Sequence, residues 1–217
     1  IFADNSACAA LYLSPFKTLV AFEESFAIAV TNALNVSISG GFVTGLSLSN
    51  LKLCDGNACK LLYKNNSFDA VISISVIEHI SGMGDSKAMK EMLRVLRPGG
   101  KLILTTNVMR KYREEYRDID QYNLHSKKRK KYFFQRVYDK KNLQKKIIDA
   151  IGVKPSIVEI IGEKGNNWFD GYINKWIKNG LFETIFDPWY MITKFRKYNS
   201  IDELSGVGVV GLVFEKN

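Results

Sequence analysis

Ser67-Phe68-Asp69-Ala70-Val71-Ile72-Ser73-Ile74-Ser75-Val76-Ile77-Glu78-His79-Ile80 and, a little further on, Glu91-Met92-Leu93-Arg94-Val95-Leu96-Arg97-Pro98-Gly99-Gly100-Lys101-Leu102 are the two stretches on which the fold turns. Ala70 to Ile74 is a short apolar run rich in β-branched residues, entered from the turn Asn65-Asn66-Ser67, and reads as a strand. Met89, Met92, Leu93 and Leu96 recur at helical spacing, with Asp85 or Ser86 placed to cap the helix and Pro98-Gly99-Gly100 to stop it. Lys101 to Thr106 follows, and its Leu102-Ile103-Leu104 core is apolar enough for a central strand.

The same alternation continues outward. Upstream, Thr18 to Phe22 reads as a strand, Glu24 to Leu34 as a helix with Phe26, Ala27, Val30 and Leu34 on one face, and Leu51 to Cys54 as a strand entering an Asp55-Gly56-Asn57 turn. Downstream, Lys140 to Ile151 is an amphipathic helix ended near Gly152, Ser156 to Ile161 a strand, and Val207 to Phe214 the last strand. The Lys- and Tyr-rich segment 110–136 fits neither period and reads as a basic connection. Residues 166–199 form an aromatic-rich insertion, with spacings that suit two short helices around Asp187-Pro188. Short strands alternating with longer amphipathic stretches indicate an α/β sheet, not a sandwich or a bundle. No repeat, low-complexity tract or linker divides the chain, so residues 1–217 are expected to form a single domain.

Composition narrows the function. At 217 residues, 46% apolar and 24% charged, the chain can bury a real core, and no apolar run approaches the about 18 to 20 residues that span a bilayer. Ile1-Phe2-Ala3 reads as the end of a strand without its beginning, which leads us to expect further residues upstream. Cys8, Cys54 and Cys59 are an odd set whose spacings match neither a zinc cluster nor a disulfide framework, so no metal and a reducing cytoplasm are expected. The net charge of +9 is confined to one place: residues 110–146 hold fourteen Lys or Arg against five Asp or Glu. We read that segment as a solvated basic face, with an anionic partner such as nucleic acid as the alternative.

Taken together, Ser67 to Ile80 and Glu91 to Leu102 resemble the class I S-adenosylmethionine (SAM) dependent methyltransferases, most closely the small-molecule, methyltransferase type 11-like branch. In that branch a strand ending in Ser-x-x-x-x-Glu-His precedes a helix, an Arg-Pro-Gly-Gly turn and another strand. The resemblance implies a Rossmann-like, doubly wound sheet, mostly parallel with an antiparallel last strand, and helices on both faces. It also implies SAM as cofactor and a transferase activity. The match runs motif by motif over about residues 1–108 and by element order alone beyond them.

The family's cofactor residues carry over by position. The acid ending the second strand, which accepts the ribose hydroxyls, falls on Glu23, with Glu24 competing for the role. The loop after the third strand, where a side chain and the next backbone N–H meet adenine, falls on Gly56-Asn57-Ala58. Asn57 stands where Asp is usual, and its carbonyl can still accept from an exocyclic amine; the alternative is that this is only a turn. The Asp-x-Gly-x-Gly-x-Gly motif between the first strand and helix falls on Asp4-Asn5-Ser6-Ala7-Cys8-Ala9-Ala10, with Ser6, Cys8 and Ala10 at the glycine positions. All three are small and none is glycine, so each adds a Cβ where the cofactor's methionine part should pass. Ser73, at the end of the fourth strand, completes the cofactor set.

Methyl transfer is an in-line displacement that needs alignment more than it needs a base. If a base takes part, His79 and His125 are the only histidines, and the resemblance places His79 after the strand end that faces the cofactor's methyl. His79 is therefore the catalytic candidate, the alternative being that Glu78-His79 only orients its loop. The aromatic insertion suits an apolar or ring-bearing small-molecule acceptor. Two other readings remain. The missing glycines fit a methyltransferase-like binding domain that has lost catalysis. Asp187-Pro188-Trp189-Tyr190 partly matches the tetrad of nucleic-acid amino-methylating enzymes, but it does not follow the fourth strand, where that tetrad belongs.

Overall fold

A computed structural model describes residues 6–13, 16–23, 51–119, 130–165 and 193–217, the strands up to residue 56 by their backbone. Eight strands form one sheet: β1 (Ser6–Leu13), β2 (Phe16–Glu23), β3 (Leu51–Gly56), β4 (Phe68–Ile74), β5 (Leu96–Val108), β8 (Ile157–Glu163), β9 (Phe195–Tyr198) and β10 (Gly208–Glu215). Their order is β3-β1-β2-β4-β5-β10-β8-β9, and β6 (Arg113–Arg117) pairs with β7 (Tyr132–Val137) in a separate hairpin.

The sheet is mixed, which corrects the expectation of mostly parallel pairing. Only β2 with β4 and β4 with β5 pair in parallel. β1 is antiparallel to both β2 and β3. β10 is antiparallel to both β5 and β8, and β9 to β8. It follows that β2, β3, β4, β5 and β8 all point the same way. The antiparallel last strand expected from the sequence is present as β10, slotted between β5 and β8.

The central unit follows from local chemistry. Val71 and Ser73 of β4 and Leu102, Leu104, Thr106 and Val108 of β5 lie on one buried side. Helix α1 (Gly84–Val95) covers that side with Ala88, Met89, Met92 and Val95. A second helix, α2, runs from Lys140–Leu143 through a π turn at Gln144–Ile148 to Asp149–Ile151. Asp139 caps it by accepting from the Asn142 N–H at 2.7 Å, and Gly152, at φ 66°, ends it. Leu143 and Ile147 of α2 join the same core. α1 and α2 pack together on one face of the sheet. On the other face Ile103, Ile157, Ile161 and Val209 are exposed, so the described residues show helices on one face only.

Three local readings change. α1 stops at Val95, and Pro98-Gly99-Gly100 lies inside β5, where an irregularity in the pairing with β4 and a φ of 74° at Gly99 absorb it. Asp85 is not a helix cap; it is fully buried in the first turn of α1. Part of the basic segment 110–136 forms the β6–β7 hairpin, where Tyr116 and Phe133 stack edge to face. The expected helix at Glu24 to Leu34 and most of the 166–199 insertion lie outside the described residues, although Phe195–Tyr198 of that insertion is β9. No helix among the described residues is long and apolar enough to cross a membrane.

Candidate functional site

In an open sheet of parallel strands, ligands sit beyond the carboxyl ends, where the strand order reverses direction. Here β4 is the pivot: the chain passes to its left for β1 to β3 and to its right for β5, β10 and β8. The carboxyl ends of β2, β3, β4 and β5 share one edge. Glu23 ends β2 and Gly56 ends β3, and Ser6 of β1 pairs with each of them. At the usual strand spacing, Glu23 and Gly56 are thus about 10 Å apart.

Asn57 follows directly at that edge. Its Oδ1 accepts the Cys59 N–H at 2.8 Å and its main-chain oxygen accepts the Lys60 N–H at 2.9 Å, so residues 57–60 are indeed a tight turn. The Oδ1 keeps a second lone pair. Ala58 is 1% exposed, and its methyl packs in the core. Beyond the turn, Arg94 of α1 donates to the carbonyls of Leu61 (3.0 Å) and Tyr63 (2.8 Å), while Glu91 accepts the Leu61 N–H at 2.8 Å. This pair pins the loop after β3 to α1.

The β4 end is strained. Ser75 has φ 49°, a left-handed conformation uncommon outside glycine, asparagine and aspartate. Its N–H donates to the Thr105 main-chain oxygen at 3.1 Å and the Thr105 Oγ1 at 3.2 Å, which ties β4 to β5 at their carboxyl ends. A 3-10 turn, Ile77–His79, comes next. Glu78 is fully buried there and accepts from the Thr106 hydroxyl at 3.0 Å. His79 Nδ1 lies 2.9 Å from the Phe134 carbonyl of β7. A carbonyl only accepts, so Nδ1 carries a proton. The Phe134 ring meets His79 edge-on at 5.1 Å, and the Arg117 guanidinium lies 3.2 Å from the Phe134 ring centroid.

The β6–β7 hairpin walls this end of the edge. Tyr112 and Tyr116 both donate to Glu114, at 2.7 and 2.8 Å. Burial, then the bond to Glu114, pushes the Tyr112 phenol well up, and the same two phenols hold Glu114 below the usual carboxylate range.

The edge therefore gathers Glu23, Asn57 and His79, and it brings Ser6 between the ends of β2 and β3. Other expected residues fall elsewhere. Ser6, Cys8 and Ala10 belong to strand β1, not to a loop between strand and helix. Without a glycine to take up positive φ, this run of small and apolar residues stays extended. Cys8 and Ala10 lie further down the sheet, opposite Ala21 and Leu19. Ser73 is fully buried beneath α1, because strand alternation puts it on the side of Val71; its hydroxyl has no partner among the described residues. Asp4 and His125 lie outside the described residues. Sequence reading missed Ser75; a serine one residue past a strand carries no periodic signal.

Residues 19–104 match the model of a methyltransferase domain. The chain is 36% identical over 73 residues to the uncharacterized protein MJ0638 of Methanocaldococcus jannaschii, a match covering 34% of this chain and 31% of that one. It is 45% identical over 53 residues to the "Putative methyltransferase ECU09_1500" of Encephalitozoon cuniculi, covering 24% of this chain and 25% of that one. The matched region thus spans under a third of either curated relative. The crystal structure of the [4+2]-cyclase SpnF shares the fold, with a TM-score of 0.51 and 16% identity over 92% of this chain and 66% of that one. The motifs of residues 67–102 fall within the stretch that matches a methyltransferase domain. The resemblance to a methyltransferase domain thus covers residues 19–104, less than half of the chain.

Proposed function

We propose that the chain transfers a methyl group from SAM to a small-molecule acceptor at the carboxyl edge of its sheet. The observation that carries this reading is the gathering of Glu23, the Asn57 turn and His79 on one edge at the point where strand order reverses. SAM, when bound, supplies an electrophilic methyl on its sulfonium. The residues at the edge suit part of it. Glu23, which ends β2, is the residue assigned to the ribose hydroxyls, and Asn57 with Ala58, in the turn after β3, are those assigned to adenine. For the methionine end, the described residues offer no glycine cradle, since β1 occupies that stretch.

His79 is the candidate proton acceptor, its ring held beyond the end of β4 by the Nδ1–H bond to the Phe134 carbonyl. The hairpin tyrosines and Phe134 suit an apolar or ring-bearing acceptor. The absent cradle favours a second reading, a methyltransferase-like domain that binds without turnover.

Calorimetric titration with SAM and S-adenosylhomocysteine, beside Glu23→Ala and Asn57→Ala, tests the proposal. Micromolar binding weakened about tenfold or more by each substitution, equivalent to about 1.4 kcal/mol, is expected. No binding to the wild type would sink the cofactor assignment; tight binding without methyl transfer to any acceptor in a broad panel would favour the second reading. A steep fall in affinity for duplex DNA or RNA with rising salt would point to a nucleic-acid acceptor.

A further inference from the structure

The helix layer that covers the sheet turns an almost uniformly cationic side to solvent. α1 buries Ala88, Met89, Met92 and Val95, which leaves Lys87 and Lys90 exposed on its outer side. α2 buries Leu143 and Ile147, which leaves Lys141 and Lys145 outward, about one turn apart. Ser86 Oγ donates to the Lys146 carbonyl at 2.8 Å and holds the two helices side by side. Along the other flank of α1, Glu91 and Arg94 hold residues 61–65, and this loop adds the exposed Lys60 and Lys64. Among the described residues none of these six ammonium groups has an ion pair or a side-chain hydrogen bond. The carboxylates of the layer are already engaged: Glu91 with Arg94, Asp85 with Arg136, Asp139 at the start of α2, and Asp149 with Gln144 at 2.7 Å.

Two apolar side chains stand among these lysines. Leu62, between Lys60 and Lys64, is 87% exposed, and Met83, one turn before Lys87, is 60% exposed. Cys59 Sγ donates to the Gly84 carbonyl at 3.3 Å, which brings the loop and the start of α1 together. Lysines around a solvated leucine and methionine fit a surface that is anionic at its boundary and apolar beneath, as an anionic bilayer is. Nucleic acid fits less well. Phosphates give Leu62 and Met83 nothing to bury against, the Arg94 fork is spent on Glu91 and the loop carbonyls, and Tyr63 packs edge-on against Phe68 at 4.9 Å. No helix among the described residues can cross a bilayer, so such docking is peripheral.

We propose that the outer side of the helix layer docks on an anionic lipid surface, with Lys60, Lys64, Lys87, Lys90, Lys141 and Lys145 at the headgroups and Leu62 and Met83 inserted beneath them. Docking of this kind requires neither SAM nor an acceptor, so it stands or falls separately from methyl transfer.

Co-sedimentation of the whole chain with vesicles of about two parts phosphatidylcholine to one part phosphatidylserine tests the proposal, beside vesicles of phosphatidylcholine alone. The wild type should bind the mixed vesicles, bind them less as salt rises, and hardly bind the neutral ones. Lys90→Gln should weaken binding about fivefold, and Lys87→Gln, Lys90→Gln, Lys141→Gln and Lys145→Gln combined about a hundredfold or more. Leu62→Ser with Met83→Ser should weaken it about tenfold or more and leave the salt dependence in place. Lys101→Gln removes the same charge from the opposite face of the sheet, beside Ile103, and should bind like the wild type. All these positions are exposed, and matching urea midpoints would show that the variants are folded. Failure of the wild type to bind the mixed vesicles, equal losses in Lys90→Gln and Lys101→Gln, or full binding by the serine double variant would overturn the proposal. So would displacement from the vesicles by duplex RNA whose own affinity ignores the Leu62 and Met83 substitutions, since the face would then serve a nucleic acid.

Discussion

Ser75 holds a left-handed backbone conformation that costs an ordinary side chain about 1–2 kcal/mol, and it does so next to the proposed reaction centre. Asn66 shares that conformation at φ 56°, but asparagine tolerates it well, and it merely turns the chain into β4. At Ser75 the strain aims the chain out of β4 into the 3-10 turn that carries His79, with the two bonds to Thr105 holding it there. Ser75→Gly should therefore match or exceed the wild type in urea unfolding, because relief of the strain offsets the entropy cost of glycine. Ser75→Val should lose about 1–2 kcal/mol, since a β-branched side chain suits this region least. Equal stability for both variants would mean that the turn is not strained. Little of this was legible beforehand. The residue types at 73 to 79 announced a strand end and a motif, but which side of the sheet Ser73 faces and which φ Ser75 adopts depend on register against β5.

At the scale of elements, the Glu91–Arg94 pair shows how a helix places a binding loop. Glu91 and Arg94 are neighbours on α1, joined at 2.8 Å, and between them they bond to Leu61, Tyr63 and Asn65 in the loop that follows the Asn57 turn. The bond to Arg94, with help from the Leu61 N–H, holds the Glu91 carboxyl below its ordinary value of 4.5 against the opposing effect of burial. A carboxyl depressed in the folded state contributes stability above that value and loses it as the pH falls through the folded pKa. Acid unfolding below about pH 4.5 should thus be shallower in Glu91→Gln, with stability near neutrality reduced and its slope there unchanged. An acid limb identical to the wild type in a pH series of denaturant titrations would remove Glu91 from this role.

The elements most visible in the sequence were those whose own periodicity decides them. β4, α1 and β5 announce themselves through Ala70 to Ile74, the Met89 to Leu96 spacing and Leu102-Ile103-Leu104, and α2 through the amphipathic stretch from Lys140 to Ile151 that ends near Gly152. β1 did not, because alanine, cysteine and serine have no strong preference and a family motif suggested a loop; pairing with β2 and β3 made it a strand. The hairpin β6–β7 stayed hidden because its charged and aromatic residues alternate in service of cross-strand contacts, such as Tyr116 on Phe133, more than of a buried face.

Across the whole molecule, most of the sheet is built from partners distant in sequence: β10 lies against β5 and β8, and β2 against β4 across residues 24 to 67. Folding dominated by such pairings is slow, on the order of milliseconds to seconds. Stopped-flow refolding from urea should fall in that range, and completion within microseconds would contradict this topology.

The place of β10 also sets an order of events as the chain is made. β5 and β8 cannot touch in the finished sheet, because a strand synthesised after both must lie between them. Until residue 215 has left the ribosome, the nascent chain holds two half-sheets with facing unpaired edges. The apolar residues of β8 then have no neighbouring strand on that side, which exposes an edge of the kind that recruits other chains.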